Sequence, residues 1–470
     1  MPHLIYLAYG FPPAAKSGTF RMRAVANAVA ARGWDVTAIS LADDSWWREN
    51  GIDSSLLDGL HPRIRRVGLD VAREDLEPDL RLWSEDRARD PDAWRKEFTT
   101  RSQAHFPEAT FGLWRLTYEE AVSRVHAERP ADLLLASPMP YVTLAAARHL
   151  HRTAGVPYVI DYRDGWSLDV VSGETAFTPE SPAGLIEQDV LDHAAQAWFV
   201  NGPIRDFYAS RHPGSADRFV VVRNGFDPEL EVAVTHRDPV EPPLVFGYLG
   251  TMSLGVPQLT ALLDGWALAR SREPLLADAR LEFRGHMGAG YAAGVGGHAA
   301  LVANRASTGV SYGGPVGKSE VAGVYSGWDA LVLALIGGRY VTSGKVYEYL
   351  ATGLPIVSAH EKEHAAAEVL DGYALWAPTA SLAAEDIADA FETAARMAVH
   401  ASADERRAAV VHAERFSRAL LLEPAVERML ALVPSPEPST PEPAPIAPAV
   451  ATASPVAPRK VVLVAAKPVV

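Results

Sequence analysis

The chain has 470 residues, 48% of them hydrophobic, enough to bury the cores of at least two globular domains. It contains no cysteine, so disulfides, thiolate metal sites and cysteine nucleophiles are excluded. Its 44 basic and 58 acidic residues leave a formal charge of −14, which argues against nucleic-acid binding by the surface as a whole.

The N-terminal run Met1-Pro2-His3-Leu4-Ile5-Tyr6-Leu7-Ala8 lacks the charged leader and long apolar core of a signal peptide. No apolar stretch reaches the length of a membrane span, so the expectation is a soluble cytoplasmic protein. Residues 4–8 predict a buried parallel strand. The loop Gly10-Phe11-Pro12-Pro13-Ala14-Ala15-Lys16-Ser17-Gly18 follows, then a helix over 20–31 and a strand over 34–40. This β-loop-α-β opening begins a doubly wound α/β sheet. Further strands are predicted at 132–137, 158–161, 197–201 and 219–223, with helices between them. Residues 43–111 are irregular, charged and rich in Trp, and predict an insertion of short helices in no order the sequence reveals. Trp46 and Trp47 there could contact a ligand or form a small satellite core.

A Pro-containing linker over 235–243 separates this domain, residues 1–235, from a second doubly wound series over 243–432. Its strands are predicted at 244–250, 280–284, 310–312, 330–335 and 355–357, with closing helices over 404–433. Two such series in tandem place their strand C-termini across a cleft, where ligands bind. Residues 433–470 alternate Pro with Ala, Ser, Thr and Glu and predict a disordered or polyproline-like tail, a candidate weak membrane or protein tether.

The most informative run is Thr342-Ser343-Gly344-Lys345-Val346-Tyr347-Glu348-Tyr349-Leu350-Ala351-Thr352-Gly353-Leu354-Pro355-Ile356-Val357. A turn opens a short helix, Gly353 ends it, and an apolar strand begins. Val346 and Leu350 share one face; Lys345, Glu348 and Thr352 share the other. A lysine in a first helical turn opposes the helix dipole, unless an anion docks on that turn. Glu348, one turn later, could accept two hydrogen bonds from a ribose diol. A glutamate in a first turn is also favourable with no ligand at all.

Gly344, Glu348, Gly353, Pro355 and Val357 match, in order, the C-terminal signature of glycosyltransferase family 4, and the chain resembles that family over about residues 1–430. The resemblance implies the GT-B fold, two Rossmann-like domains facing across a cleft. It also implies a retaining, metal-independent sugar transfer from a nucleotide-diphosphate donor to a carbohydrate, lipid-linked or small-molecule acceptor. Glu348 would then bind ribose, with Gly344 and Lys345 stabilising the leaving diphosphate. Asp161-Tyr162-Arg163-Asp164 ends a strand, and Arg163 and Asp164 fall where the family often has a His-Asp pair. An arginine cannot shuttle protons at neutral pH, so Arg163 is assigned an orienting role, and Asp161 or Asp164 a sugar hydroxyl. Gly18 would line the cleft, where a glycine lets backbone approach a ligand closely. Val222-Arg223-Asn224-Gly225-Phe226-Asp227 resembles the motif that closes the family's first domain.

The sequence departs from the family at three places. Tyr340 stands where an earlier glutamate is common, and Thr251 and Val256 stand where an Arg and a Lys grip the donor phosphates. Lys345, Arg284 or Lys318 must then supply that charge. These departures leave two other readings open: a GT-B partner or activator subunit without transferase activity, and a nucleotide-sugar epimerase. Gly285, Gly288, Gly290 and Gly294 have the wrong spacing for a dinucleotide fingerprint.

Overall fold

Strands covered by helices on both faces must be apolar on both faces, and the long apolar runs of this sequence become two parallel sheets. The structure, a computed structural model, describes residues 1–49, 51–228, 234, 237, 240–287, 297–317 and 320–434. The predicted tail from 435 onward, most of the predicted linker, Lys318, Gly288, Gly290 and Gly294 lie outside the described residues.

The first sheet holds β1 (His3–Ala8), β2 (Asp35–Leu41), β3 (Ile64–Leu69), β4 (Leu133–Ser137), β5 (Tyr158–Tyr162), β6 (Gln196–Phe199) and β7 (Phe219–Val221). Their order is β3-β2-β1-β4-β5-β6-β7, every pair parallel. The second holds β8 (Val245–Leu249), β9 (Arg280–Arg284), β10 (Val310–Tyr312), β11 (Ala330–Ala334), β12 (Ile356–Ala359) and β13 (Trp376–Pro378), in the order β10-β9-β8-β11-β12-β13, again parallel. Each order reverses beside its first strand, the switch point at which open α/β sheets bind ligands. Every residue of β1, β4, β5, β8 and β11 is buried.

One expectation is corrected and one strand had no sequence signal. The 43–111 segment is not wholly helical, because β3 lies in it and pairs with β2 from Val36↔Ile64 to Leu41↔Leu69. Its Arg65 and Arg66 hide the strand pattern; charged side chains are what an edge strand carries to resist further pairing. Strand β13, three residues long, is too short to signal itself. The closing helix Arg418–Leu430 crosses back to the first domain, as the family resemblance implies: Leu422, Ala425, Val426 and Met429 pack with Leu4, Met22, Val25 and Val29. Of the two neighbouring tryptophans, Trp46 is fully buried in the first domain's core and Trp47 is 54% exposed.

The return of the last helix fixes the Asn-Gly-Phe-Asp turn. Arg418 donates to Asn224 O at 2.7 Å and Gly225 O at 2.8 Å, and pairs with Asp227. Gly225 has φ +66°, and a Cβ there would meet Phe416 O at 2.7 Å, so both backbone and space demand glycine.

Candidate active site

On the second domain the site is built at the switch point between β8 and β11. The helix Gly344–Ala351 starts at Ser343, whose Oγ accepts the Lys345 N–H at 3.3 Å. Val346, Tyr347, Tyr349 and Leu350 bury one face of this helix. Tyr349 Oη accepts the Leu249 N–H at 2.9 Å and ties the helix to the end of β8. Thr352, expected on the outer face, is buried instead, its Oγ1 donating to Tyr349 O at 2.7 Å.

The Lys345 side chain folds back over the end of β8. Its Nζ donates to Tyr248 Oη at 2.5 Å and Thr251 O at 3.1 Å, and lies 4.2 Å from the Tyr248 ring centre. Gly250 makes that path: its φ is +121°, and a Cβ there would stand 2.5 Å from Lys345 Cε. Lys345 therefore brings positive charge to Thr251. Burial pulls the ammonium down to about 7, partly offset by the nearby Glu348 carboxylate. Glu348 is half-buried and takes a long hydrogen bond of 3.5 Å from Tyr325 Oη. Gly344 is exposed at the helix start. Arg284 ends β9, where its carbonyl accepts the Gly250 N–H at 2.9 Å; its Nη1 reaches Glu282 at 3.3 Å and its buried Nε has no partner.

On the first domain, Asp161 is corrected. It is fully buried, and Arg21 grips it with Nε to Oδ2 at 2.8 Å and Nη2 to Oδ1 at 2.6 Å. No sugar hydroxyl can reach it. Arg163 and Asp164, the next turn of the same loop, are half-buried. The Arg163 guanidinium lies directly over Gly18, with Nη1 only 1.8 Å from where a Cβ on Gly18 would stand. Gly18 thus makes room for a side chain of this chain.

A network that sequence reasoning missed holds the Arg163 loop. Tyr208 Oη accepts from the Trp166 N–H at 2.7 Å and the Ser167 N–H at 3.2 Å, and donates to buried Glu187 at 2.8 Å. Tyr141 Oη donates to Gly165 O at 2.6 Å. Asn201 was missed too, although Asn-Gly-Pro at a strand end is a helix-start signal. It caps the helix Gly202–Arg211 by accepting the Ile204 N–H at 2.8 Å. Its Nδ2 then crosses to the second domain, donating to Tyr340 O at 3.1 Å and Thr342 Oγ1 at 2.7 Å. The Tyr340 ring packs near Phe207, 6.2 Å between centres, and against Gly173. Arg223 pairs with Glu368, also across the domains. These contacts join loops at the strand C-termini of both sheets. Lys345 and Glu348 stand at that end of the second sheet, and Gly18, Arg163 and Asp164 at that end of the first.

Residues 18–225 match the family model described as the glycosyl transferase 4-like domain. No curated protein sequence matches the chain. Similar solved structures include a sucrose-phosphate synthase from Thermosynechococcus elongatus, 14% identical, with a TM-score of 0.61 and coverage of 92% of this chain and 100% of that one. A glycosyltransferase from Rickettsia africae is 11% identical, with a TM-score of 0.61 over 91% of this chain and 97% of that one. HepE from Anabaena, in complex with UDP and glucose, is 15% identical, with a TM-score of 0.53 over 92% of this chain and 99% of that one. At such identities the likeness shows the fold, which is GT-B.

Proposed function

We propose that this chain, a glycosyltransferase with a glycosyl transferase 4-like first domain and the GT-B fold, moves a sugar from a nucleotide-diphosphate donor to an acceptor with retention at the anomeric carbon. The observation that carries the reading is Lys345, a half-buried ammonium brought to Thr251 at the first turn of a helix that also bears Glu348. Beyond the Lys345 N–H that Ser343 caps, that turn offers further backbone N–H groups and a positive dipole end, which suit a diphosphate. HepE is described in complex with UDP-glucose and a related enzyme from E. coli with UDP-2-fluoro glucose, which supports a nucleotide-sugar seat in this fold.

In the proposed reaction the bond between the anomeric carbon and the diphosphate oxygen breaks. The acceptor oxygen bonds to that carbon on the same face, and its proton passes to the departing diphosphate. Lys345 and the backbone at Gly344 stabilise the charge that grows on the leaving group. Glu348 holds the ribose. Asp164 holds a sugar hydroxyl and Arg163 orients the acceptor. Positioning supplies the rest of the rate, and no metal is needed because Lys345 supplies the charge. Arg284, one strand further from the Lys345 helix, is a secondary donor contact. We place the protein in the cytoplasm; no described helix is long and apolar enough to cross a membrane.

The test is turnover of nucleotide sugars against a panel of sugar, lipid-linked and small-molecule acceptors, with the product linkage read by NMR. The expected product keeps the donor's anomeric configuration. An inverted product rules out the same-face mechanism. Tyr340, committed to Asn201 and Phe207 instead of the donor, gives the partner-subunit reading its one structural foothold. Nucleotide binding without turnover across the panel would favour it.

A further inference from the structure

The first domain carries a cation that no described residue pairs with. Arg163 makes no hydrogen bond or ion pair among the described residues, and its Nε is buried with no partner. A guanidinium in that state is costly, because a partly desolvated charge is normally paired. Its neighbours cannot serve it. Asp161 is spent on Arg21. Asp164, the adjacent residue, forms no ion pair with it. Glu49 is taken by Lys16 and lies 3.9 Å from Arg73, which is also paired with Asp75 at 2.6 Å.

Lys16 stands in the same region, 29% exposed, on the loop that leads to Gly18. Burial pulls its ammonium down to about 8, and the charges of Arg73 and Arg163 push in the same direction. Lys16 and Arg163 thus flank the Lys16–Gly18 loop, Lys16 answered by Glu49 and Arg163 by no described residue, so an anion on Arg163 would supply the missing counter-charge. In the proposed reaction the donor diphosphate is served by Lys345, which leaves Arg163 for another anion. Arginine at this position cannot relay a proton, but its planar fork matches an oxyanion.

We propose that the acceptor of this transferase is anionic, and that its phosphate or carboxylate group is seated on Arg163 with Lys16 beside it. This rests on the glycosyl-transfer reading and adds the chemical class of the acceptor. Asp164, on the same loop, is left to accept a hydroxyl of that acceptor.

Glucose 6-phosphate, glucuronate and glucose would be titrated calorimetrically into the full-length protein saturated with UDP, and into its Arg163→Met and Lys16→Met variants. At least one anionic probe is expected to bind about tenfold or more tighter than glucose, the gain a charge-assisted hydrogen bond gives. The probe that binds distinguishes phosphate from carboxylate. Arg163→Met is expected to lose that gain with UDP affinity unchanged, Lys16→Met to lose part of it, and Arg163→Lys to restore part. Melting temperatures report whether each variant is folded. Glu348→Ala separates the two readings: it is expected to lose UDP while still binding the anionic probe. Equal affinity for glucose and both anions overturns the proposal. So does loss of UDP, rather than of the sugar anion, in Arg163→Met, which would assign Arg163 to the donor diphosphate.

Discussion

Arg21→Met is expected to destabilise the protein by about 3–5 kcal/mol, the cost of leaving one partner of a buried ion pair uncompensated. Arg21 and Asp161 are both buried, and the contact is bidentate, at 2.8 and 2.6 Å. The same guanidinium donates through Nη1 to Val222 O and Arg223 O, each at 3.0 Å. Its removal would strand a carboxylate and two carbonyls in the centre of the first domain. A urea titration measures the loss. Asp161→Leu combined with Arg21→Met should recover part of it, because the stranded charge is then gone. A loss below about 1 kcal/mol for the single variant would mean that water replaces the arginine and that the pair is not structural. The pair also explains why Asp161 is no ligand group: it fixes the end of β5, from which Arg163 and Asp164 project.

Lys345→Met is expected to slow sugar transfer about a hundred- to a thousandfold, the effect of removing one preorganised charge from a leaving group. Methionine keeps an apolar stem over Gly250 and Tyr248, so the fold should tolerate it. Arginine should not fully rescue, since its planar fork does not reproduce the point contacts of the ammonium with Tyr248 Oη and Thr251 O. The free-protein lysine titrates at about 7, so at pH 8 most of the ammonium is already neutral. Diphosphate binding favours the charged form, and a proton is taken up when the ligand docks. Wild-type nucleotide affinity should therefore fall about tenfold per pH unit above about 7, and the slope should vanish in Lys345→Met. The same slope in the variant would assign it to another group.

The sheets were legible because parallel strands are apolar on both faces, and β1, β4, β8 and β11 read as almost wholly apolar runs. Strand β3 was not, since its two arginines imitate a loop. The closing helices were visible as helices, but amphipathicity shows that a face is buried and not which domain buries it. On the site, the Lys345–Glu348 pair was legible because its logic is local, one helical turn after a glycine. The fate of Asp161 was not, because its partner Arg21 lies 140 residues away in sequence. Asn201 and Tyr340, 139 residues apart, meet only through the approach of two domains. The lack of a partner for Arg163 among the described residues is likewise a property of the folded chain alone.

A calorimetric titration of UDP, GDP, dTDP and ADP into the wild-type protein and Glu348→Ala, without added metal, tests the nucleotide seat most directly. At least one diphosphate should bind the wild type, and the alanine variant should bind it at least tenfold more weakly, the value of lost charge-assisted hydrogen bonds to the ribose. Equal affinity in the two proteins, or no binding by the wild type, would contradict the assignment of the Lys345–Glu348 helix as the donor site.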